Sequence, residues 1–392
     1  MVDFPVIISG AGPAGLAAAA LLAQEGVKVA VIAPTQTAPD PRTTALMQPA
    51  MQLLKYIGIW PGVIATHCAH LRRLHLIDDT GHLVSAPKIE FAAEELGLEE
   101  FGWNVPLALL IPTLHQRATA LGVTFIEGKC TSVSAGESAI TLTTETYQNL
   151  STELVLAADG ATSPLRRALG FATQTRKFDQ AALVTTFDHT ASHEFTSTEW
   201  HKQDGPLTTV PLPGNRSALV WMAKPARIEA LSQLSSQELC TEIQLENHGA
   251  LGRVSNPSPT KSFPMQLQRA TILAKSRCFL IGEAAHALPP IGAQGLNLSL
   301  RDVATAADVI VGASDPGTPA LCAEYDRLRR ADIGPRLEVT GLLNASLLSE
   351  FPAMHLARAA SLSAVAKFPP LRHLALRQGL GTAATLPFAM RA

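Results

Sequence analysis

The 392-residue chain has few charged residues and almost no net charge. Asp, Glu, Lys and Arg make up 16% of the sequence, against roughly 25% in an average soluble domain. The 31 basic and 33 acidic residues leave a formal net charge of −2, which predicts no overall attraction to nucleic acid. The mean hydropathy is +0.17. This low polarity favours a lipophilic ligand, a protein partner or contact with a membrane surface.

Cysteine pairs, long apolar runs and repeats are also missing from the sequence. No C-x-x-C pair and no His/Cys cluster with zinc spacing occurs, so we expect no metal site, and scattered cysteines suit a reducing compartment. No apolar run reaches the roughly 18 residues of a membrane-spanning helix. A strand is predicted from Phe4 onward, so we expect no signal or transit peptide and a cytoplasmic location.

The N-terminus has the pattern of a strand, a glycine-rich turn, a helix and a second strand. The apolar run Val6–Ile8 precedes Gly10-Ala-Gly12-Pro-Ala14-Gly15, and an Ala/Leu-rich helical stretch follows. Glycines permit a tight turn and let the backbone approach a pyrophosphate, while the helix N-terminus supplies free N–H groups. The sequence therefore predicts a dinucleotide-binding βαβ unit.

One expected member of this fingerprint is absent. An acidic residue normally ends the second strand and binds the ribose hydroxyls of the dinucleotide. Here Ala33 occupies that place and Pro34 follows it. Asp40 substitutes for the missing acid only if its loop folds back. Ribose recognition is therefore left without an assigned carboxylate.

Two further motifs lie far along the chain. The first is Asp159-Gly160-Ala-Thr-Ser163-Pro-Leu-Arg166, at the end of a predicted strand. Asp-Gly suits a turn, and Arg166 offers a planar charge to a phosphate. The second is Gly282-Glu283-Ala-Ala-His286, followed by Gly292-Ala-Gln294-Gly295-Leu296-Asn297 at the start of a predicted helix. Each motif alone is also compatible with an ordinary turn, and His286 with a packed structural histidine.

Together, in this order, the three motifs resemble those of the flavin-dependent aromatic hydroxylases, the class A flavin monooxygenases. The resemblance extends from about residue 4 to residue 330. It is strongest to the branch that hydroxylates the ring of ubiquinone precursors. Segments that carry this likeness are Arg42-Thr-Thr-Ala-Leu46, Asp204-Gly-Pro-Leu207, Pro211-Leu-Pro213, Leu219-Val-Trp221 and Gln294–Asp302.

The resemblance implies FAD and NAD(P)H as cofactors and assigns residues to them. The Asp159–Arg166 segment is expected between the two cofactors, Glu283 stands where the family has Asp, and Arg42 is expected to reach the flavin side of FAD. The N-terminus of the helix near Leu296 is expected to point at the flavin pyrimidine ring. The implied cofactor residues are Gly10, Gly12, Ala14, Gly15, Arg42, Asp159, Gly160, Arg166, Gly282, Glu283, Gly292, Gln294, Gly295, Leu296 and Asn297.

The implied reaction is hydroxylation of an aromatic ring. NAD(P)H reduces FAD, O2 forms a hydroperoxide at flavin C4a, and the distal oxygen passes to a prenylated phenol in ubiquinone biosynthesis. No catalytic residue is assigned, because His67, His70, His75 and His201 are candidate bases by residue type alone. Two alternatives remain: a flavin reductase of prenyl chains, and a non-catalytic FAD-binding scaffold of a quinone-biosynthesis complex.

The predicted fold is α/β and resembles p-hydroxybenzoate hydroxylase. We expect a Rossmann-like FAD-binding domain over 1–175 and 271–330, an interleaved antiparallel β-sheet substrate domain over 176–270, and C-terminal helices over 331–392. Periodicity predicts a helix over 44–60. The last 42 residues contain no acidic residue, and Pro369-Pro370 divides them into two predicted helices. This basic tail favours peripheral membrane contact, at the inner face of a bacterial membrane, or docking to a quinone-biosynthesis complex.

Overall fold

The computed structural model describes residues 2–35, 38–81, 85–146, 149–347, 352–381 and 385–391. Its strands are β1 (Phe4–Ser9), β2 (Val29–Ala33), β3 (Thr43–Met47), β4 (Ala69–Leu71), β5 (Arg73–Asp78), β6 (Ile89–Ala92), β7 (Gly102–Pro106), β8 (Thr124–Glu127), β9 (Cys130–Ala135), β10 (Ile140–Thr144), β11 (Leu150–Ala157), β12 (Thr173–His189), β13 (Thr196–Lys202), β14 (Gly205–Leu212), β15 (Arg216–Ala223), β16 (Val254–Ser255), β17 (Lys261–Ala270), β18 (Ala274–Lys275), β19 (Cys278–Leu280) and β20 (His286–Ala287).

The helices connect and flank these strands. They are α1 (Pro13–Gln24), α2 (Gln48–Tyr56), α3 (Leu107–Ala120), α4 (Pro164–Ala168), α5 (Pro225–Ser232), α6 (Ser236–Glu246), α7 (Gln294–Ile310), α8 (Pro319–Leu347), α9 (Pro352–Lys367) and α10 (Pro369–Leu380). Short 3-10 turns occur at Val63–His67, Ala93–Leu96, Gly282–Ala284 and Phe388–Met390.

The first sheet has the parallel centre expected of a dinucleotide-binding unit. Its main order is β18-β19-β11-β1-β2-β8, and β9 and β10 extend from β11. Strands β19, β11, β1, β2 and β8 run parallel. Their apolar side chains are buried between helices, as parallel strands covered on both faces require.

The second sheet is largely antiparallel and forms a separate layer. Its main order is β20-β17-β12-β15-β14-β13-β5-β6. One face packs against α5 and α6 through a cluster that includes Trp200, Trp221 and Ile243. Strands β5 and β6 come from within the segment 1–175, because β5 pairs in parallel with β13. By sheet membership, residues 73–92 therefore lie with the predicted substrate domain.

A third, small sheet replaces part of a predicted helix. Strands β3, β7 and β4 pair with β7 in the centre. The predicted helix over 44–60 is wrong for its first residues, because Thr43–Met47 is a strand and the helix begins at Gln48. The apolar stripe predicted for the helix nevertheless packs in the core at Met51, Leu54 and Ile57.

The C-terminal helices cover the edge of the second sheet at β6 and the N-terminal end of α7. Helix α8 begins at Pro319, so it crosses the predicted boundary at residue 331. Helix α9 ends at Lys367 and α10 begins at Pro369, as the proline pair predicts. Among the helices of the described ranges, none combines the length and apolarity needed to cross a bilayer.

Candidate active site

The three sequence motifs meet at one edge of the first sheet. Strands β1, β11 and β19 are parallel neighbours, and each ends directly before a motif. The amide of Ala158 donates to Ser9 O at 2.8 Å, and that of Ile281 donates to Ala157 O at 3.0 Å. Because ligands of such sheets bind beyond the carboxyl ends of the strands, the three motifs line one cleft.

The glycines of the first motif have two different physical roles. Gly10 has φ +113°, and a Cβ at Gly10 or Gly15 would overlap backbone oxygens of Ala158 and Gly10. These two positions let strand, turn and helix pack closely. Gly12 differs, since a Cβ there would enter open space. It is also the N-cap of α1 and provides no side-chain acceptor for the first-turn N–H groups. Gly12 therefore leaves a cradle for an anion.

The second motif holds a buried carboxylate with a spare acceptor. Asp159 Oδ2 accepts the amide of Leu165 at 3.2 Å. Within the described residues, Asp159 Oδ1 is buried and has no hydrogen-bond partner. Burial raises the pKa of Asp159. A buried oxygen of this kind fits a hydroxyl donor from a ligand such as the ribityl chain of FAD.

Arg166 has a different environment from the one expected. It is 5% exposed, and its guanidinium donates to Ala284 O at 2.8 Å and to Ala161 O at 2.6 Å. Burial lowers the pKa of Arg166. The side chain therefore joins the second motif to the third through two of its five N–H donors.

The third motif packs against the first. Gly282 has φ +62°, and a Cβ there would approach the Ala14 side chain to 3.2 Å. The neighbouring Glu283 is exposed. The hydrogen bonds that Arg42 donates to Asp40 are the main cause of the raised pKa of Arg42, and the charge of Glu283 adds a smaller contribution. Arg42 and Glu283 are therefore close enough for their charges to interact.

Helix α7 presents an N-terminus without a side-chain cap. Gly292 has φ +62° and Ala293, the N-cap, is left-handed with φ 54°. Asn297 holds this turn, since its Oδ1 accepts the Met47 amide at 2.8 Å and its Nδ2 donates to Ala45 O and Ala293 O at 2.7 Å. Gln294 donates to Gly292 O and to Gly379 O in α10. A Cβ at Gly295 would meet open space, and Leu296 is half-buried.

A carboxylate that the sequence did not single out lies beside Ala33. Ala33 and Glu127 are register partners at the ends of β2 and β8. Thr35 donates its hydroxyl hydrogen to Glu127 Oε1. Asp40 instead pairs with Arg42 at 2.6 Å. Burial alone would raise the pKa of Asp40, but the interactions with Arg42 outweigh burial and lower it. Sequence separation hid Glu127, because only the strand order reveals the pairing.

The loop that carries Asp40 also borders a cavity. It measures about 220 Å³ and lies between this loop and Leu107 and Ile111 of α3. The N-cap of α3, Pro106, provides no side-chain cap. The cavity therefore adjoins the N-terminus of α3, whose first amide, that of Leu107, donates to Arg42 O at 2.9 Å.

Of the four candidate bases, His201 is the one buried in the second sheet. It is 1% exposed, and Nε2 lies 2.7 Å from Glu199 Oε1. His70 stacks on Trp103 and faces Glu100 at 3.2 Å. His75 lies 3.0 Å from Glu90, and His67 ends an exposed 3-10 turn.

A buried ion network stands behind the third motif. Asp302 Oδ2 accepts from the Gly282 amide at 2.9 Å and lies 2.7 Å from His286 Nε2. Its Oδ1 accepts from Arg329 at 2.7 Å. Burial opposes ionisation of Asp302, but His286 and Arg329 outweigh it and lower its pKa. His286 is thus a packed, hydrogen-bonded histidine, which is the structural interpretation that the sequence analysis left open.

Comparison with known proteins places the whole chain beside flavin-binding proteins. The FAD binding domain model matches residues 3–334. The chain is 30% identical to ubiquinone hydroxylase UbiL of Rhodospirillum rubrum, over 96% of this chain and 89% of that protein. It is 30% identical to 3-demethoxyubiquinol 3-hydroxylase of Escherichia coli, over 96% and 98%. The crystal structure of p-nitrophenol 4-monooxygenase PnpA from Pseudomonas putida superposes with a TM-score of 0.77 at 19% identity, covering 98% and 99%. The predicted fold class is confirmed.

Proposed function

This chain belongs to the family of flavin-dependent aromatic monooxygenases that share the FAD binding domain, and we propose that it hydroxylates the ring of a prenylated phenol in ubiquinone biosynthesis. Two relatives with 30% identity over 96% of this chain carry names of ubiquinone or ubiquinol hydroxylases. The family resemblance predicted from the three motifs is confirmed.

The convergence of the three motifs at one sheet edge supports this function more than any other observation. We assign the pyrophosphate of FAD to Gly12 and the first turn of α1, because the cradle there is open and uncapped. The ribityl hydroxyls are assigned to Asp159 and Glu283, and the flavin ring to Arg42 and the turn Gly292–Asn297. Glu127 takes the place of the missing ribose acid, since its carboxylate stands beside Ala33.

Bound FAD, reduced by NAD(P)H, supplies the activated oxygen that the ring accepts. The chain itself contributes binding, orientation and exclusion of water. The uncapped N-terminus of α7 favours negative charge on the adjacent ligand by roughly 0.5 to 2 kcal/mol. Arg166 and Asp302 hold the second and third motifs in fixed positions behind that ligand.

The test is oxygen transfer by the purified protein. With FAD, NAD(P)H and O2, a prenylated phenol should stimulate NAD(P)H oxidation and gain one oxygen atom on its ring, detected by mass spectrometry with labelled O2. A protein that reduces the prenyl chain would be the alternative reductase. One that binds FAD and shows no phenol-dependent turnover would be the alternative scaffold. In a ubiquinone-deficient cell, the accumulated intermediate would name the ring position.

We also propose that the C-terminal helices contact an anionic membrane surface, where prenylated phenols reside. Phe368, Leu371 and Leu374 are between 42% and 56% exposed and recur at helical spacing at the start of α10. No acidic residue follows Glu350, whereas Lys367 and Arg377 lie in the same two helices. Apolar side chains beside basic ones favour an anionic bilayer. Docking of these helices to a quinone-biosynthesis complex is the alternative to membrane contact.

A further inference from the structure

The second sheet has an outer and an inner face, and residue alternation separates them. The outer face, with Leu183, Trp200, Leu207 and Trp221, packs on α5 and α6. Residues next to these point to the opposite, inner face. Strand pairing aligns Val220, Thr208 and Glu199 across β15, β14 and β13.

The two ends of the inner face are covered by different parts of the molecule. At one end, Ile291 packs on Ala182 and Met222, and Ile291 directly precedes Gly292 of the candidate flavin turn. Arg42 also reaches this end, with its guanidinium 5.6 Å from the Phe263 ring. At the other end, β5 and β6 pack against α9 and α10 through Leu74, Leu76 and Leu376. Strands β14 and β13 lie between these ends.

Among the described residues, buried polar atoms without partners occur on β13 and β14 of this face and on α8, which contacts β12. Glu199 is 8% exposed and bonded to His201 Nε2. In the described part of the chain, His201 Nδ1 and Thr208 Oγ1 are buried and lack hydrogen-bond partners. Asn344 of α8 is fully buried and donates to Gln180, and its Oδ1 also lacks a partner among the described residues.

Such atoms are costly in a folded protein unless a ligand or an ordered water satisfies them. An unpaired buried polar group has lost its hydrogen bonds to water without gaining others in the protein. His201 Nε2 is engaged by a carboxylate oxygen, so it carries the ring proton and Nδ1 presents a lone pair. The inner face therefore offers a hydrogen-bond acceptor, oriented by Glu199, on the side of the sheet that faces the flavin turn.

We propose that His201 Nδ1 binds the phenolic hydroxyl of the substrate and accepts its proton during hydroxylation, an inference that rests on the proposed function. The O–H bond breaks, its electron pair stays on the oxygen, and an N–H bond forms at Nδ1. Glu199 stabilises the resulting imidazolium through Nε2. The phenolate is a more electron-rich ring, so it accepts oxygen faster.

Among the described residues, strand pairing and a direct contact place two carboxylates near His201. Glu199 lies on the same strand as His201. Asp78 on β5 is the register partner of His201. Asp78 in turn pairs with Arg358 of α9 at 3.4 Å. On the opposite side of β13, the register partner of His201 is Pro206 of β14, which carries no charge. Of these groups, the carboxylate of Glu199 is the one in direct contact with the His201 ring.

The test uses the complete FAD-loaded enzyme and compares His201→Gln with His189→Gln. His189 is a matched control, because it is buried in the same sheet but both of its ring nitrogens are bonded, to Ala191 O and to Ser217 Oγ. It shares the outer face with Phe187, two residues away on β12. His201→Gln should lower kcat/KM for the prenylated phenol by about a hundredfold or more, with flavin content kept. The corresponding loss in His189→Gln should stay within about threefold.

Two further measurements separate proton transfer from a structural role. The pH profile of kcat/KM should lose its acid limb in His201→Gln. A fluorinated phenol analogue ionises at lower pH than the ordinary substrate. In His201→Gln, kcat/KM should be at least tenfold higher for this analogue than for the ordinary phenol. In the wild type, kcat/KM should be no higher for the analogue. Glu199→Gln should shift the acid limb of the wild-type profile without abolishing it.

The outcomes that overturn the inference differ from those that overturn the function. A wild type that hydroxylates the phenol and a His201→Gln variant within threefold of it would refute the role of His201 alone. An equal loss with the ionised analogue would refute proton transfer by His201. A wild type with no phenol-dependent oxygen transfer would refute the proposed function and this inference with it.

Discussion

Single residues at the cleft show why the same residue type serves unlike purposes. Gly10 and Gly15 are required by packing, because any Cβ would overlap neighbouring carbonyls. Gly12 has an ordinary φ of −73° and open space around it, so folding does not require a glycine there. We propose that a ligand approaching the backbone at this position requires its small size.

This difference gives a prediction for Gly12→Val. The variant should fold with a melting temperature within a few degrees of the wild type, but its flavin content after purification should fall below a tenth. The valine side chain would occupy the cradle over the N-terminus of α1. Gly334→Val is a suitable control, since a Cβ at Gly334 in α8 also meets open space. Full flavin absorbance in Gly12→Val would refute the pyrophosphate assignment.

The assignment of Glu127 gives a second prediction at the same scale. Loss of a charged hydrogen-bond acceptor costs roughly 1.5–3 kcal/mol. Glu127→Gln should therefore raise the dissociation constant for FAD by about tenfold or more, measured by fluorescence titration of the apoprotein. Glu145→Gln, at an exposed glutamate after β10, should leave it unchanged. Equal affinities in the two variants would leave the ribose without a carboxylate and contradict the assignment.

The sequence could predict the motif residues but not their partners. Glycine spacing and the Asp-Gly and Gly-Glu pairs locate the cleft without coordinates. The burial of Arg166 depends on the carbonyl of Ala284, 118 positions away, and the pairing of Glu127 with Ala33 depends on strand order. Both require long-range contacts that no local pattern encodes.

Elements differ in how well periodicity describes them. Strands β1 and β2 and helix α1 follow the predicted pattern, since local composition and tertiary burial agree there. Residues 43–47 are a strand against the helical pattern, because β7 offers backbone partners to them. The tertiary pairing outweighs a weak helical preference. Asn297 then bonds to the end of that strand, so the strand helps to place the turn before α7.

Helix α7 connects the cleft to the C-terminal helices through Asp302, which gives a third prediction. Removing one partner of a buried ion pair costs about 3–5 kcal/mol. Asp302→Asn should lower the free energy of unfolding by about 3 kcal/mol, measured by urea denaturation of the FAD-loaded protein. Asp308→Asn, at an exposed residue of the same helix, should change it by less than about 1 kcal/mol.

Asp302 also makes the stability of the protein depend on pH, and the sign of this dependence follows from the pKa of Asp302. Since the pKa of Asp302 is lowered in the folded state, its contribution is complete above the ordinary carboxyl pKa of about 4. It is lost as pH falls through the lowered folded value. The wild type should therefore lose stability more steeply than Asp302→Asn below pH 4. Parallel acid curves for the two proteins would contradict an ionised Asp302.

At the scale of the whole molecule, the cleft lies between a parallel sheet and an antiparallel sheet that the chain visits alternately. Strands β5 and β6 leave the first segment to join the second sheet, and β20 returns to it from the third motif. The lobes therefore share elements, which a division by sequence boundaries cannot show. This interleaving places the inner face of the second sheet against Ile291, directly before the turn Gly292–Asn297.

The C-terminal segment is both part of the core and a candidate membrane surface. Leu376, Leu380 and Met390 are buried, and Arg301 donates to Gly381 O at 3.0 Å. Removing the whole segment would therefore destabilise the fold as well as any membrane contact. Point substitutions on the exposed side separate the two effects.

The last prediction concerns the triple variant Phe368→Ser, Leu371→Ser and Leu374→Ser. These side chains are exposed, so the variant should keep its flavin content and its melting temperature. It should bind vesicles containing anionic phospholipid at least fivefold more weakly than the wild type in a sedimentation assay. Leu245→Ser, at a 65% exposed leucine of α6 on the outer face of the second sheet, is the control and should bind like the wild type. Unchanged vesicle binding in the triple variant would refute the membrane surface. If the triple variant also lost a co-purifying biosynthetic protein that the control retained, the exposed side of α10 would be a protein-docking surface.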